Sequence, residues 1–341
     1  MSNSQREVLV TATGVKQWFP IKKKWVFDKQ RYVKAVDDVD VYMYRGETLG
    51  VCGESGCGKS TLMRTILRLL EPTAGSITYE GKELTKLSKR EMKKVREHMQ
   101  IVFQDPFSAL DGRMKVGAII EEPMIINCPE MDKKARLARV RELMSQVGLD
   151  ASYINRYPHE FSGGQRQRIV IARALATKPE LLFCDEAVSA LDVSVRAQIL
   201  NLLEDLQDEL KLTYMFVSHD LSVIEHICDR IVIMYLGKVV EIGTKDDIFK
   251  NPKHPYTQAL LSAIPLVGKK KNERIILEGD IPSPVNPPSG CRFHTRCPYA
   301  TERCAVEVPE MVDLGGEHKA ACLLCAPAAE EAAAPAETAA E

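Results

Sequence analysis

The stretch GESGCGKST at residues 53–61 constrains the fold more than any other part of the chain. It fits the pattern G-x-x-x-x-G-K-[ST], with the apolar run ETLGVC (47–52) before it and the amphipathic run KSTLMRTILRLL (59–70) after it. That order predicts a buried strand, a tight loop and a helix, so that successive backbone N–H groups and a helix N-terminus converge on phosphate. Gly53, Gly56 and Gly58 supply the backbone freedom. Lys59 is expected to reach the β- and γ-phosphates and the Ser60 hydroxyl to ligate Mg²⁺. Glu54, Ser55, Cys57 and Thr61 complete the binding segment, with Cys57 at a position the pattern leaves free.

Short β-rich runs alternate with longer amphipathic ones from about residue 48 to 235, which predicts an α/β core with a parallel sheet. LLFCDE (181–186) and TYMFVSHD (213–220) read as strands. The segment 195–210 places Ile199, Leu202, Leu203, Leu206 and Leu210 at helical spacing, a stripe that belongs to the core. LLFCDE ends in two carboxylates at the carboxyl edge of the sheet, where α/β proteins bind ligands. Asp185 is expected to hold the Mg²⁺ shell and Glu186 to orient or deprotonate water. Between VFQDP and FSGGQ, about residues 105–175, the pattern turns helical and reads as a subdomain inserted in the core. A polar linker, VGKKKNER (267–274), leads into a Pro-rich stretch and a small C-terminal module. The Ala/Glu/Pro-rich residues 326–341 read as a disordered tail. The division expected is therefore 1–265, 266–325 and 326–341.

Composition removes several alternatives. Forty-six basic residues against 47 acidic ones give a net charge of −1, without the basic excess that phosphate-backbone binding uses, so nucleic acid is not the expected partner. The first twenty residues lack the pattern of a secretory signal. No window approaches the roughly 18 apolar residues of a membrane-spanning helix; the best candidate, IVIMYLGKVVEIG (231–243), is broken by Gly237 and Lys238.

FSGGQRQRIVIARAL (161–175), together with the phosphate loop and the Asp-Glu pair, resembles the signature segment of the ATP-binding subunits of ABC transporters. The resemblance implies a phosphate-loop ABC ATPase fold in which Ser162, Gly163, Gly164 and Gln165 meet an ATP held by a second ATPase subunit, two ATPs being sandwiched between two such domains. It implies further that Gln104 in VFQDP senses Mg²⁺ and water and couples to the membrane subunits. SALD (189–192) resembles the loop that crosses the dimer interface, and His219 the histidine that contacts the γ-phosphate. An aromatic stacking on adenine is expected upstream of the phosphate loop, with Tyr32 chosen over Trp25 and Phe27. The segments 18–40, 188–203 and 251–265, with the cysteine-rich ending, resemble the oligopeptide/dipeptide importer branch, over about residues 8 to 325. That branch implies a heterodimer of ATPases, two permease subunits and an extracytoplasmic binding protein, with this chain peripheral on the cytoplasmic face. Ala187 departs from the proline many relatives carry after the Asp-Glu pair. A soluble ABC-type ATPase acting on nucleic acid or ribosomes is the alternative.

Ten cysteines without a signal peptide point to thiols or metal ligands. Cys291, Cys297, Cys304 and Cys322 follow the spacing C-x5-C-x6-C-x17-C, with Cys325 close behind. Four thiolates suit either tetrahedral Zn²⁺ or a [4Fe–4S] cluster, and the spacing matches neither common pattern. The family resemblance favours the cluster, with zinc or unligated thiols as the alternatives and Cys325 either replacing Cys322 or standing by.

Overall fold

The computed structural model describes residues 6–23, 25–264 and 275–325; the linker 267–274 and the tail 326–341 lie outside the described residues. In chain order the strands are β1 (Val8–Pro20), β2 (Tyr32–Tyr44), β3 (Thr48–Cys52), β4 (Ala74–Tyr79), β5 (Lys82–Glu83), β6 (Met99–Val102), β7 (Leu181–Asp185), β8 (Thr213–Ser218), β9 (Arg230–Tyr235), β10 (Lys238–Thr244), β11 (Val312–Asp313) and β12 (Lys319–Ala320). The α-helices are α1 (Lys59–Ile66), α2 (Lys89–His98), α3 (Pro106–Ala109), α4 (Val116–Asn127), α5 (Lys133–Gln146), α6 (Gly163–Ala174), α7 (Val193–Leu210), α8 (Leu221–Ile227), α9 (Lys245–Lys250), α10 (Pro255–Ser262) and α11 (Glu302–Val306).

Two sheets form. The larger has the order β11-β12-β10-β9-β3-β8-β7-β6, parallel from β9 to β6 and antiparallel beyond β9. The smaller, β2-β1-β4-β5, is antiparallel and built on the long β1–β2 pair. The central strands read as unbroken apolar runs because both faces are covered. Alternate residues divide cleanly: Leu181, Phe183, Met215, Val217, Val232 and Met234 enter the core that includes α1 and the smaller sheet. Leu182, Cys184, Tyr214, Phe216, Ile231 and Ile233 enter the other, with α6, α7 and α8. Helix α1 is thus clasped between the sheets, which fixes the loop that precedes it.

The helical stripe over 195–210 holds, with Ile199, Leu202, Leu203 and Leu206 buried in α7 and Leu210 packed against them. The run 59–70 is helical only to Ile66; Arg68 turns to positive φ, and its guanidinium binds the carbonyls of Leu84 and Leu87. Between β6 and β7 the described chain is helical, without strands.

The segment from residue 275 packs onto the main body. β12 pairs with β10, extending the larger sheet, and Phe293 packs among Tyr235, Tyr256 and His254 in the core. Glu241, fully buried, accepts from the backbone N–H groups of Lys253 (2.7 Å) and His254 (3.0 Å), and its Oε1 lies 2.7 Å from His318 Nε2. His254 caps α10, its Nδ1 accepting from Tyr256 N at 3.1 Å.

Burial depresses the His254 imidazole from its ordinary 6.5 to about 3. The unfolded chain takes up a proton below about 6.5 that the folded protein refuses, so stability falls as pH drops through that value. At about pH 5 the loss amounts to about 2 kcal/mol. His254→Asn keeps a cap acceptor but not the titration. The variant is expected to lose less melting temperature than wild type between about pH 7.5 and 5; equal losses would assign the acid sensitivity elsewhere.

Candidate active site

The phosphate loop lies between β3 and α1, as the sequence predicts. Gly58, the N-cap of α1, has φ 110°, and a Cβ there would collide with the Ala35 carbonyl of β2. Glycine is therefore required on both counts. Lys59 Nζ is folded back onto the loop, donating to Gly53 O at 2.8 Å and Glu54 O at 3.0 Å. The Cys57 thiol is buried and its pKa raised by burial, which keeps it protonated and unreactive.

Two clusters of functional side chains assemble at the carboxyl edge of the larger sheet. In one, Ser60 Oγ donates to Asp185 Oδ1 at 2.6 Å, while Arg64 Nη2 donates to Asp185 Oδ2 at 3.2 Å. Arg64 was not anticipated, although it stands four residues after Ser60, one turn along the same helical face. In the other, Glu186 joins two expected partners: Gln104 Nε2 donates to Oε2 at 2.8 Å and His219 Nδ1 lies 3.1 Å from Oε1. Glu186 has φ 49°, in the left-handed region. Its N–H donates to Val217 O at 2.9 Å and its carbonyl accepts from Ser189 N and Oγ. Those bonds hold a conformation that costs a non-glycine residue roughly 1–3 kcal/mol. Hydroxyl, carboxylate and amide oxygens on Ser60, Asp185 and Gln104 are hard donors, a set that fits Mg²⁺.

Ser162 caps α6 in a reciprocal box with Gln165: Gln165 N donates to Ser162 Oγ at 3.4 Å and Ser162 N to Gln165 Oε1 at 3.1 Å. A Cβ on Gly164 would run into Val195 of α7, so the signature is packed against the segment that follows SALD. Asp192 occupies the N-cap of α7, but its side chain makes no capping bond, and Val193 beside it is 80% exposed. Among the described residues no hydrogen bond joins Ser162–Gln165 to the phosphate loop.

Tyr32 opens β2, with its ring tilted against Trp18 at 6.1 Å. Three residues on, Ala35 abuts Gly58, which puts this end of β2 beside the phosphate loop. Trp25 and Phe27 lie in the β1–β2 connection, almost fully exposed.

The cysteine segment folds back on itself, with Cys291 N donating to Cys304 O at 2.8 Å. Cys304 and Cys322 are buried, and Cys291 and Cys297 pack against the core. Burial pushes the Cys291 thiol up to about 11 and raises Cys297 as well. Among the described residues, however, no three His, Cys, Asp or Glu side chains are arranged to hold a metal ion, so the [4Fe–4S] expectation draws no support from this geometry. His318, four residues before Cys322, is engaged with Glu241.

Comparison with known proteins bears on the same residues. The family model for ABC transporters matches residues 36–189, and that for the oligopeptide/dipeptide transporter C-terminal region matches 240–304. The chain is 50% identical to the oligopeptide transport ATP-binding protein AppF of Bacillus subtilis (strain 168), over 95% of this chain and 99% of that protein. It is 51% identical to the dipeptide transport ATP-binding protein DppF of Haemophilus influenzae, over 91% and 95%. Among solved structures it resembles the dimeric post-hydrolysis state of the ATP-binding cassette MJ0796 bound to ADP and Pi, with TM-score 0.61 and 29% identity over 70% of this chain and 99% of that one. CbiO1 of Clostridium perfringens, part of an ABC transporter complex, gives TM-score 0.62 at 25% identity, over 72% and 92%. The chain belongs to the ATP-binding proteins of the oligopeptide/dipeptide ABC transporters.

Proposed function

We infer that this chain is the ATP-hydrolysing subunit of a membrane importer for peptides. The observation that carries the inference is the meeting of Gln104, Glu186 and His219 beside the Ser60–Asp185 pair, in a chain half identical to peptide-transport ATP-binding proteins along nearly its whole length. Residues 53–61 cradle the phosphates through backbone N–H groups, and Lys59 swings from the Gly53 and Glu54 carbonyls to the phosphate oxygens. Ser60, Gln104 and Asp185 would hold Mg²⁺, which when bound would supply positive charge against the β- and γ-phosphates. Glu186 takes the proton of the attacking water as its oxygen bonds to the γ-phosphorus and the bond to the bridging oxygen breaks, ADP leaving with that electron pair. His219 bridges Glu186 and the γ-phosphate, and Tyr32 covers the adenine.

Ser162, Gly163, Gly164 and Gln165 act in trans, on ATP held by a partner ATPase. The pair, a heterodimer, closes on two ATPs and pulls two permeases into another state; hydrolysis resets them. An extracytoplasmic binding protein delivers the peptide, and this chain stays at the cytoplasmic face. No helix among the described residues is long and apolar enough to cross a membrane. A groove lined by Phe103, Pro123, Ile126 and Arg173, with Phe103 and Ile126 exposed, lies beside the strand leading to Gln104 and suits a permease segment. In this reading residues 105–175 form an inserted helical subdomain of the nucleotide-binding domain 1–265, and 266–325 a cysteine-rich extension. Co-expression with the two membrane subunits is expected to raise the ATPase rate; stimulation by DNA or ribosomes instead would favour the soluble alternative.

The proposal extends to Cys291, Cys297, Cys304 and Cys322 as ligands of a metal centre, a [4Fe–4S] cluster with zinc as the alternative. Four cysteines in one short segment, two of them buried and two packed against the core, support it, and binding would have to displace their protons. Iron, sulfide and zinc per chain in anaerobically purified protein, beside Cys297→Ser, decide the matter. Iron and sulfide near four each, lost in the variant, are expected; zinc alone discards the cluster, and absence of both metals discards the centre.

A further inference from the structure

The loop between Cys291 and Cys297 reaches the phosphate loop directly. Arg296 donates to both carboxylate oxygens of Glu54, Nη1 to Oε2 at 2.8 Å and Nη2 to Oε1 at 3.1 Å. The Arg296 side chain is 8% exposed, and its Nη1 also reaches Tyr235 OH at 3.4 Å. Glu54 is fixed from two further sides: its N–H donates to Tyr256 OH at 2.8 Å, and its carbonyl accepts from Lys59 Nζ. The same loop grips the far side, where Arg292 binds the Asp37 carboxylate and the Leu236 carbonyl. The next residue, Gly237, donates its N–H to Cys57 O at 2.8 Å.

A carboxylate in the second position of a phosphate cradle works against the anion the cradle must hold. Left unpaired, it would add negative potential beside the triphosphate, and it would compete for Lys59. A bidentate arginine removes both effects, since the fork spreads positive charge over the carboxylate and fixes its direction. We propose that Arg296 is a positioning residue of the nucleotide site, neutralising and anchoring Glu54 so that the C-terminal extension forms one wall of the phosphate cradle. The proposal rests on the reading of residues 53–61 as an ATP site.

The test is the affinity of the full chain for a fluorescent N-methylanthraniloyl ATP with Mg²⁺, in Arg296→Ala and Arg296→Lys, each alone and combined with Glu54→Gln. Arg296→Ala is expected to bind about tenfold more weakly, a size common for coupling between sites. Arg296→Lys, which keeps the charge but loses the fork, is expected to bind about threefold more weakly. Both losses should vanish when each double variant is compared with Glu54→Gln, because the carboxylate to be neutralised is gone. A purely structural contribution of Arg296 to docking would persist in that background. The proposal is overturned if either folded variant binds like wild type, or if its loss survives beside Glu54→Gln. Arg296→Lys decides the matter should Arg296→Ala fail to fold. Failure of wild type itself to bind the nucleotide, or undiminished binding by Lys59→Ala, would overturn the ATP-site reading instead.

Discussion

Glu186→Gln is expected to lower ATP turnover by about 10²–10⁴-fold, the range a positioned general base supplies, while ATP still binds. The amide is close in shape to the carboxylate and can still accept from Gln104, so the contacts that hold the β7 end in place survive in part. The left-handed backbone at Glu186 depends on main-chain bonds to Val217 and Ser189, which the substitution does not touch. Proton acceptance is what disappears. Phosphate release measured in a single turnover, beside an equilibrium nucleotide titration, separates the two steps. Turnover equal to wild type would remove Glu186 from the role of base and leave Gln104 and His219 gathered around a bystander.

The second large effect concerns stability. Glu241→Ala is expected to cost about 3–5 kcal/mol, the range seen when one partner of a buried ionisable pair is removed. Glu241 serves three donors at once: two successive N–H groups entering α10 and the buried ring of His318. Alanine leaves His254 N and the imidazole without partners in a region closed to water, which is where an unmade hydrogen bond costs most. The damage should be local before it is global, because β11 and β12 join the larger sheet at its edge through β10, and the His318 contact lies beside that junction. Denaturant unfolding reads the loss, and limited proteolysis should cleave first between residues 275 and 325. A midpoint unchanged from wild type would mean that the interior there admits water.

The parts of the site legible in the sequence are those whose chemistry is contiguous. The phosphate loop and the Asp185–Glu186 pair each declare themselves within a few residues, because a backbone cradle and a strand end are local objects, whereas the Ser162–Gln165 segment is singled out by resemblance. His219 and Gln104 were found through resemblance, since a lone histidine or glutamine carries no spacing signal. What the sequence hid are meetings across the sheet. Arg296 and Glu54 are separated by 242 residues and His318 and Glu241 by 77, and nothing in either neighbourhood announces the other. The order of the larger sheet shows the same limit: β-rich runs identify the central strands, whereas the pairing of the two-residue β12 with β10 depends on tertiary packing alone. The end of α1 is hidden for a related reason. Residues 67–70 keep the apolar spacing of a helix, yet Arg68 is drawn out of it by the Leu84 and Leu87 carbonyls.

The most direct test of the account is uptake of labelled peptide by sealed membrane vesicles containing this chain with the permeases and with the partner ATPase and binding protein proposed for it. Uptake that requires ATP on the ATPase side and falls to background when Glu186→Gln replaces the wild-type chain is the predicted result. Peptide accumulation at the wild-type rate with the variant chain, or without ATP, would contradict it.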